Sequence, residues 1–264
     1  MISMMDVGSA CAADEGVPPS LSVVDMVWPD QSNHHGTLFG GAALSMLDRL
    51  AFIQGSRVLR GTVVTASVGR LDFARPVPAG HAVECQARVI RQGVRSVTLD
   101  VRLKAEDLLT GEQGSCLSGE FVMVRKADAD PGHEAVATRT HGEDADAPWH
   151  RPAPGTVSVA EIVFPGHANH RGMLHGGPAM AWIAKAGFVA ASRQVRRSVV
   201  MARSEQLDFA EPAWVGDVVE VQARVVSVGQ RSVRVEVSMW AESPTTGQNR
   251  LCTKVGLVYV ALKE

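Results

Sequence analysis

Tyrosine occurs once in 264 residues, at Tyr259, and all aromatic residues together make up 5%. A surface that binds nucleic-acid bases by repeated stacking cannot be assembled from so few rings. Charge of either sign is not in excess: 26 Lys and Arg stand against 28 Asp and Glu, a formal net charge of −2. No general field draws the chain to nucleic acid or an anionic membrane, so a phosphorylated ligand has to be held by a local basic cluster. No helical apolar run reaches the ~20 residues of a membrane span. The opening "MISMMDVGSACAADEGVPPS" has no basic start, and Asp6 interrupts it, which argues against a secretory signal. Cysteine is sparse. Cys11, Cys85, Cys116 and Cys252 have no metal-ligand spacing, and three fall in strand-like runs. They read as buried thiols of a protein of the reducing cytoplasm, with no metal.

What is present is a repeat. Hydrophobic residues at 45% and charged residues at 20% are ordinary for a globular chain long enough for two domains. Shifting the sequence by 136 positions lays Asn33 on Asn169 and aligns the remainder without a gap. "RLDFARPVPAGHAVECQARV" from Arg70 meets "QLDFAEPAWVGDVVEVQARV" from Gln206. Between Asp25–Val124 and Glu161–Val260 roughly 40 of 100 pairs are identical, far above chance for one ungapped shift. The reading is an N-terminal tail over 1–20, a first repeat over 21–125, a linker over 126–155 and a second repeat over 156–264. The linker is rich in Ala, Asp, Gly, Pro and His without apolar period, as a solvated connection is; its His133, His141 and His150 are irregularly spaced.

Each repeat has the same internal order. A short strand ends near a proline ("MVWP", "IVFP"), a loop follows with Asn-His and Gly-Gly, and then comes a helix, predicted over 41–59 and 177–195. Three or four Val-rich strands in period-2 alternation complete the unit. One long helix with a run of antiparallel strands predicts an α+β fold, and a helix apolar nearly all round has to be buried under the sheet.

Features shared by both repeats, such as Leu-Asp-Phe at 71–73 and 207–209, are explained most simply by folding the same unit twice. The differences bear on function. Asp48 interrupts the apolar first helix, and its counterpart is Ala184. Aspartate disfavours a helix interior by roughly half a kcal/mol relative to alanine, and burial adds several kcal/mol unless partners compensate. Leu44, Leu47, Leu50, Ala51 and Phe52 surround it at helical spacing, which argues against an exposed Asp48 paired with Arg49. Just ahead of the helix, "NHHGTLFGG" in repeat one becomes "NHRGMLHGG" in repeat two, so Phe39 becomes His175.

The strand, the Asn-His…Gly-Gly loop, the acid-bearing helix and "LDFARPVPAG" together resemble the hot-dog fold. "NHHGTLFGG…MLD…VVTASVGRLDFARPV" is similar to the acyl-CoA thioesterase family that includes tandem-domain acyl-CoA hydrolases. The resemblance covers both repeats and omits the tail and the linker. It implies two hot-dog domains side by side as an intramolecular pseudo-dimer, with active sites where they meet. His-Gly-Gly before the helix resembles the phenylacetate type, in which Asn, His and the first Gly come from one unit and the acid from its neighbour. Carried over, Asn169, His175 and Gly176 of repeat two face Asp48 of repeat one. The reciprocal site pairs Asn33, Phe39 and Gly40 with Ala184 and is degenerate for want of the acid. That type often carries a serine after the helix; Ala66 stands there, so Thr65 or Ser67 is expected to supply the hydroxyl for substrate binding.

The chemistry implied is hydrolysis of an acyl-CoA thioester with no cofactor beyond the coenzyme A of the substrate. The Gly176 N–H, at a helix entry, binds the developing oxyanion. Asp48 acts as general base or attacks to form an anhydride, Asn169 orients water or thioester, and His175 braces the loop. Arg95, Arg231, Arg57 and Arg193 are candidates for the phosphates, and Trp182, Phe52 and Met46 for the acyl pocket. A homo-oligomer of tandem chains, such as a trimer, is what the family suggests. Two alternatives stand beside hydrolysis. A non-catalytic acyl-CoA-binding or regulatory protein treats Ala184 as a first step of decay. A hydratase or dehydratase is disfavoured because Ile53, not histidine, lies five residues after Asp48.

Overall fold

The computed structural model describes residues 20–126 and 155–262; Cys11 and the three linker histidines lie outside them. In repeat one, β1 (Ser20–Met26) precedes α1 (Gly40–Leu59), followed by β2 (Val63–Val68), β3 (Leu71–Phe73), β4 (Ala82–Gln92), β5 (Ser96–Glu106) and β6 (Gln113–Arg125). Repeat two gives β7 (Val157–Ile162), α2 (Gly176–Val195), β8 (Val199–Ser204), β9 (Leu207–Asp208), β10 (Val218–Val228), β11 (Ser232–Glu242) and β12 (Asn249–Ala261). Both helices start one residue earlier than predicted, at the first glycine of each pair. Five strands follow each helix rather than three or four, because a two-residue break, Gly69-Arg70 and Glu205-Gln206, divides β2 from β3 and β8 from β9. The fold is α+β.

The long strands follow their alternation. In β5, Val97, Leu99, Val101, Leu103 and Ala105 are buried while Arg102 and Lys104 face out; in β11, Val233, Val235, Val237, Met239 and Ala241 are buried. The sheet therefore presents one apolar face, and the helices lie on it. Each helix ends on a residue with left-handed backbone, Arg60 at φ 49° and Arg196 at φ 53°.

All twelve strands form one sheet. The seam between repeats has two symmetric crossings: Leu71 and Asp72 of β3 pair with Ser204 and Arg203 of β8, while Ser67 and Val68 of β2 pair with Asp208 and Leu207 of β9. Asp72 accepts a hydrogen bond from Arg203 Nε at 2.7 Å as well as from Arg70, and the two guanidinium groups hold its carboxyl below the usual carboxylate range. On the inner side α1 and α2 pack together, with Ser45 Oγ donating to the Gly177 carbonyl at 2.8 Å. The result is the double hot dog, with a sheet continuous across both repeats and two adjacent helices beneath it. Cys85, Cys116 and Cys252 are buried free thiols, and burial pushes Cys85 and Cys252 up to about 12.

Candidate active site

Asp48 is 1% exposed, in the middle of α1 where that helix crosses the N-terminus of α2. Arg49 is not its partner. Its Oδ1 accepts the Thr65 hydroxyl at 2.6 Å, and its Oδ2 accepts the Gly177 backbone N–H at 2.6 Å. The carboxylate thus supplies α2 with the capping acceptor that His175, at the N-cap, does not provide. Burial raises Asp48 to about 6; the bonds from Thr65 and Gly177 pull in the other direction and are outweighed.

The first turn of α2 has few donors to offer. Pro178 has no N–H, the Ala179 N–H reaches the His175 carbonyl, and the Gly177 N–H is committed to Asp48. That leaves the Gly176 N–H as the first-turn donor nearest the carboxylate. Glycine at 176 has a steric cause: a Cβ there would lie 2.7 Å from Asp48 Oδ1 and 3.1 Å from Thr65 Oγ1.

Thr65 and Ser67 separate because β2 is bulged. Against β6, Thr65 pairs with Met123 and Ser67 with Val122, so Ala66 is the extra residue. Thr65 points inward to Asp48; Ser67 pairs with Asp208 at the seam and does not line the cavity beside the carboxylate. Of the two hydroxyls expected from sequence, only Thr65 reaches the acid.

That cavity measures about 290 Å³. Thr65, Asn169, His175 and Gly176 line it next to Asp48; Met173, Ala179, Ala213 and Met239 line its apolar part; Arg95, Arg125, Lys126 and Glu211 stand around its mouth. Asn169 Oδ1 accepts the backbone N–H groups of Arg171 (2.9 Å) and Met173 (3.2 Å), closing the loop before α2. His175 sits edge-on to Phe52 of repeat one, ring centroids 4.7 Å apart, and burial with the nearby His170 and Arg49 lowers its pKa. Arg57 and Arg193 lie in the last turns of their helices and Arg231 at the reciprocal side, so Arg95 is the one arginine of the four expected that reaches this cavity. Trp182, Phe52 and Met46 are not among the lining residues; Trp182 packs on His167.

The reciprocal side is filled. Ala184 meets the close approach of the helices, its Cβ 3.1 Å from where a Cβ on Gly41 would sit, and its carbonyl accepts the Tyr259 hydroxyl at 2.8 Å. Met201, the counterpart of Thr65, leaves no room for a Cβ on Gly40, which also faces Phe73 at 3.5 Å. Phe39 stands where repeat two has His175 and meets Phe188 edge-on. Asn33 differs from Asn169 in its side-chain partner: the Thr37 Oγ1 accepts from its Nδ2 at 3.0 Å and lies 3.2 Å from its Oδ1, whereas Met173 replaces that threonine in repeat two and its side chain presents no oxygen. At the mouth, Ala261 and Leu262 replace Arg125 and Lys126.

Sequence reasoning missed Gly177, Met201, Met173, Arg125 and Lys126. The signal was available in the same shift by 136 positions, carried two residues past Val124, where each of the last four faces a residue of different chemistry. Gly177 could not be found that way, since Gly41 matches it.

Comparison with known proteins identifies the family. The thioesterase superfamily model matches residues 35–112 and 171–248, two segments offset by the repeat length and together more than half of the chain. Acyl-coenzyme A thioesterase 11 of Mus musculus is 27% identical over 261 residues, covering 85% of this chain and 44% of that protein. The chain spans about half the length of the curated relatives it matches. An acyl-CoA hydrolase structure from Agrobacterium tumefaciens is 38% identical, covering 92% of this chain and 95% of that one, with a TM-score of 0.41. A protein provisionally named oleoyl thioesterase from Lactobacillus plantarum shares the fold, with a TM-score of 0.61 at 12% identity and coverage of 93% and 97%. With both repeats matched by one family model, the chain belongs to the thioesterase superfamily.

Proposed function

We infer that this chain hydrolyses acyl-CoA thioesters to a free acid and coenzyme A, at one competent site between its repeats. The observation that carries the reading is the Asp48 carboxylate. It is buried, held by Thr65 and by the opposite helix, and set beside a cavity, whereas the reciprocal side has Ala184 in place of the acid and Met201 in place of Thr65.

The thioester carbonyl oxygen lies toward the Gly176 N–H, where a preorganised donor stabilises developing negative charge by ~3–4 kcal/mol. Asp48 takes a proton from water as the resulting hydroxide adds to the carbonyl carbon. Collapse of the tetrahedral intermediate breaks the C–S bond, and the proton on Asp48 leaves with the thiolate. A carboxylate titrating at about 6 is largely ionised at neutral pH and more basic than an exposed one, which suits a general base. The Asn169 amide orients the water or the thioester, its carbonyl end being fixed by the loop. His175, neutral and packed on Phe52, positions that loop. Arg95, Arg125 and Lys126 hold the coenzyme A phosphates, which a chain of net charge −2 attracts only locally.

The reaction needs no metal or cofactor. We also propose a cytoplasmic homo-oligomer of tandem chains, a trimer for instance. Trp28 and Phe164, equivalent in the two repeats, are 53% and 57% exposed and offer apolar surface for it. Light scattering of the purified chain reads the assembly directly.

The test of activity is thiol release from short, medium, long and aromatic acyl-CoAs, with Asp48→Asn beside wild type and its folding checked by a melting curve. Turnover lost in a folded variant supports the assignment. Equal turnover from the variant removes Asp48 from the mechanism, and none from wild type favours an acyl-CoA-binding protein.

A further inference from the structure

We propose that the cavity is a short-chain acyl pocket whose depth is set by Met239, with Ala213 controlling its width; this rests on the thioesterase reading above. Of the residues that line the cavity, Thr65 and Gly176 lie against Asp48, while the charged Arg95 and Glu211 are exposed and mark its mouth. The wall formed by Met239, Ala179 and Ala213 is apolar and closed: the three residues are 1%, 1% and 3% exposed. A substrate with its phosphates at the mouth and its carbonyl at Gly176 has that wall as the destination of its acyl tail.

The space is small. Ligand cavities commonly run to roughly 300–1,000 Å³, and this one is about 290 Å³. The thioester and the end of the pantetheine arm take a share of it, so the room left suits a short acyl chain. Met239 is flanked on the same face of β11 by Val237 and Ala241, both fully buried, so a longer chain has to displace core side chains.

The first repeat shows how the same walls are built without a pocket. Leu103 stands at the position of Met239 and Val77 at that of Ala213, both buried, and Met201 occupies the space beside Gly40. Alanine at 213 therefore opens width that valine closes, and the unbranched thioether of Met239 forms an end that a shorter side chain would deepen.

The experiment compares wild type, Met239→Ala and Ala213→Val across acyl-CoAs from acetyl to palmitoyl. Binding of the matching S-alkyl-CoA thioethers, which cannot be hydrolysed, is measured by calorimetry. The expected result is a wild-type optimum among the short acyl chains. It moves about two to four carbons longer in Met239→Ala, with roughly a tenfold gain for octanoyl-CoA, and shorter in Ala213→Val. Ala213→Val introduces the residue that repeat one already accommodates, so it carries the test if Met239→Ala does not fold. A wild-type profile flat to palmitoyl, or one that neither variant moves, overturns the proposal while leaving the hydrolase intact. Thioether affinity that follows this length pattern without any turnover supports the pocket and removes the hydrolase reading. Neither turnover nor length-dependent thioether binding overturns both.

Discussion

Asp48 of repeat one accepts the Gly177 N–H of repeat two at 2.6 Å, so the proposed base of the reaction is also the cap of the neighbouring helix. One carboxylate serves both purposes, and their demands conflict. Its folded-state value of about 6 lies above the ordinary 3.8 of the unfolded chain. Between those values the folded state binds more protons, so stability falls as pH rises from about 4 to about 6 and is level above. At pH 7.5 the ionised group therefore costs on the order of 3 kcal/mol. Asp48→Asn is expected to be more stable than wild type at pH 7.5 by about 2–3 kcal/mol, the gap closing near pH 4. Urea unfolding at the two pH values checks this. A variant less stable at pH 7.5 would show that the two hydrogen bonds outweigh burial.

The hydroxyl of Thr65 lowers Asp48, so its removal acts on the pH profile. In wild type, kcat/KM is expected to fall as pH drops below about 6, where the carboxylate is protonated. Thr65→Val keeps the shape of the side chain and moves that acid limb to higher pH, with a loss of about tenfold at pH 8 for one missing hydrogen bond. Ser67→Ala, at the seam, leaves the limb unmoved. A limb equally displaced in both variants contradicts the bulged geometry of β2.

Restoring the acid on the silent side should fail. Ala184→Asp buries a carboxylate against Gly41, with Met201 where the first site has Thr65. A loss of about 3–5 kcal/mol is expected for the unpartnered charge, without a second turnover site. Thermal unfolding reads the first effect, and active-site titration in an Asp48→Asn background the second.

Arg95 and Lys126, like Arg125, are needed for the nucleotide end of the substrate alone. Double substitution by alanine is expected to raise KM for an acyl-CoA about tenfold or more, in a salt-sensitive manner, and to leave the same acyl group on N-acetylcysteamine unaffected. An equal loss with both substrates would place the two residues in folding rather than in phosphate binding.

Met173 is predicted to matter for what it lacks. Thr37 ties the Asn33 amide through its hydroxyl at 3.0 Å, and Met173→Thr should impose the same bond on Asn169. The expected outcome is a fall in kcat of about tenfold, with the melting temperature unchanged or raised. An unaffected kcat would remove the Asn169 amide from the reaction.

The amino-acid sequence by itself determined the architecture. A gapless 136-residue repeat, strands with period-2 alternation and one long apolar helix per copy are one-dimensional signals, and each is enforced locally by pleat, helical pitch and burial. It also marked Asp48, His175 and Ala184, because the two copies serve as each other's control. Tertiary structure decided what the acid touches. Whether Thr65 or Ser67 faces Asp48 turns on one extra residue at Ala66, which reverses the side chains of β2 beyond it. That Gly177 rather than Gly176 donates to the carboxylate depends on where the two helices cross, which brings together residues 129 apart in sequence. The cavity and its filled counterpart likewise arise from side chains of both repeats, such as Thr65 with Asn169 on one side and Met201 with Gly40 on the other. Periodicity fixes which face a residue takes within its own element; contact between elements depends on bulges, crossing points and volumes that no local pattern encodes.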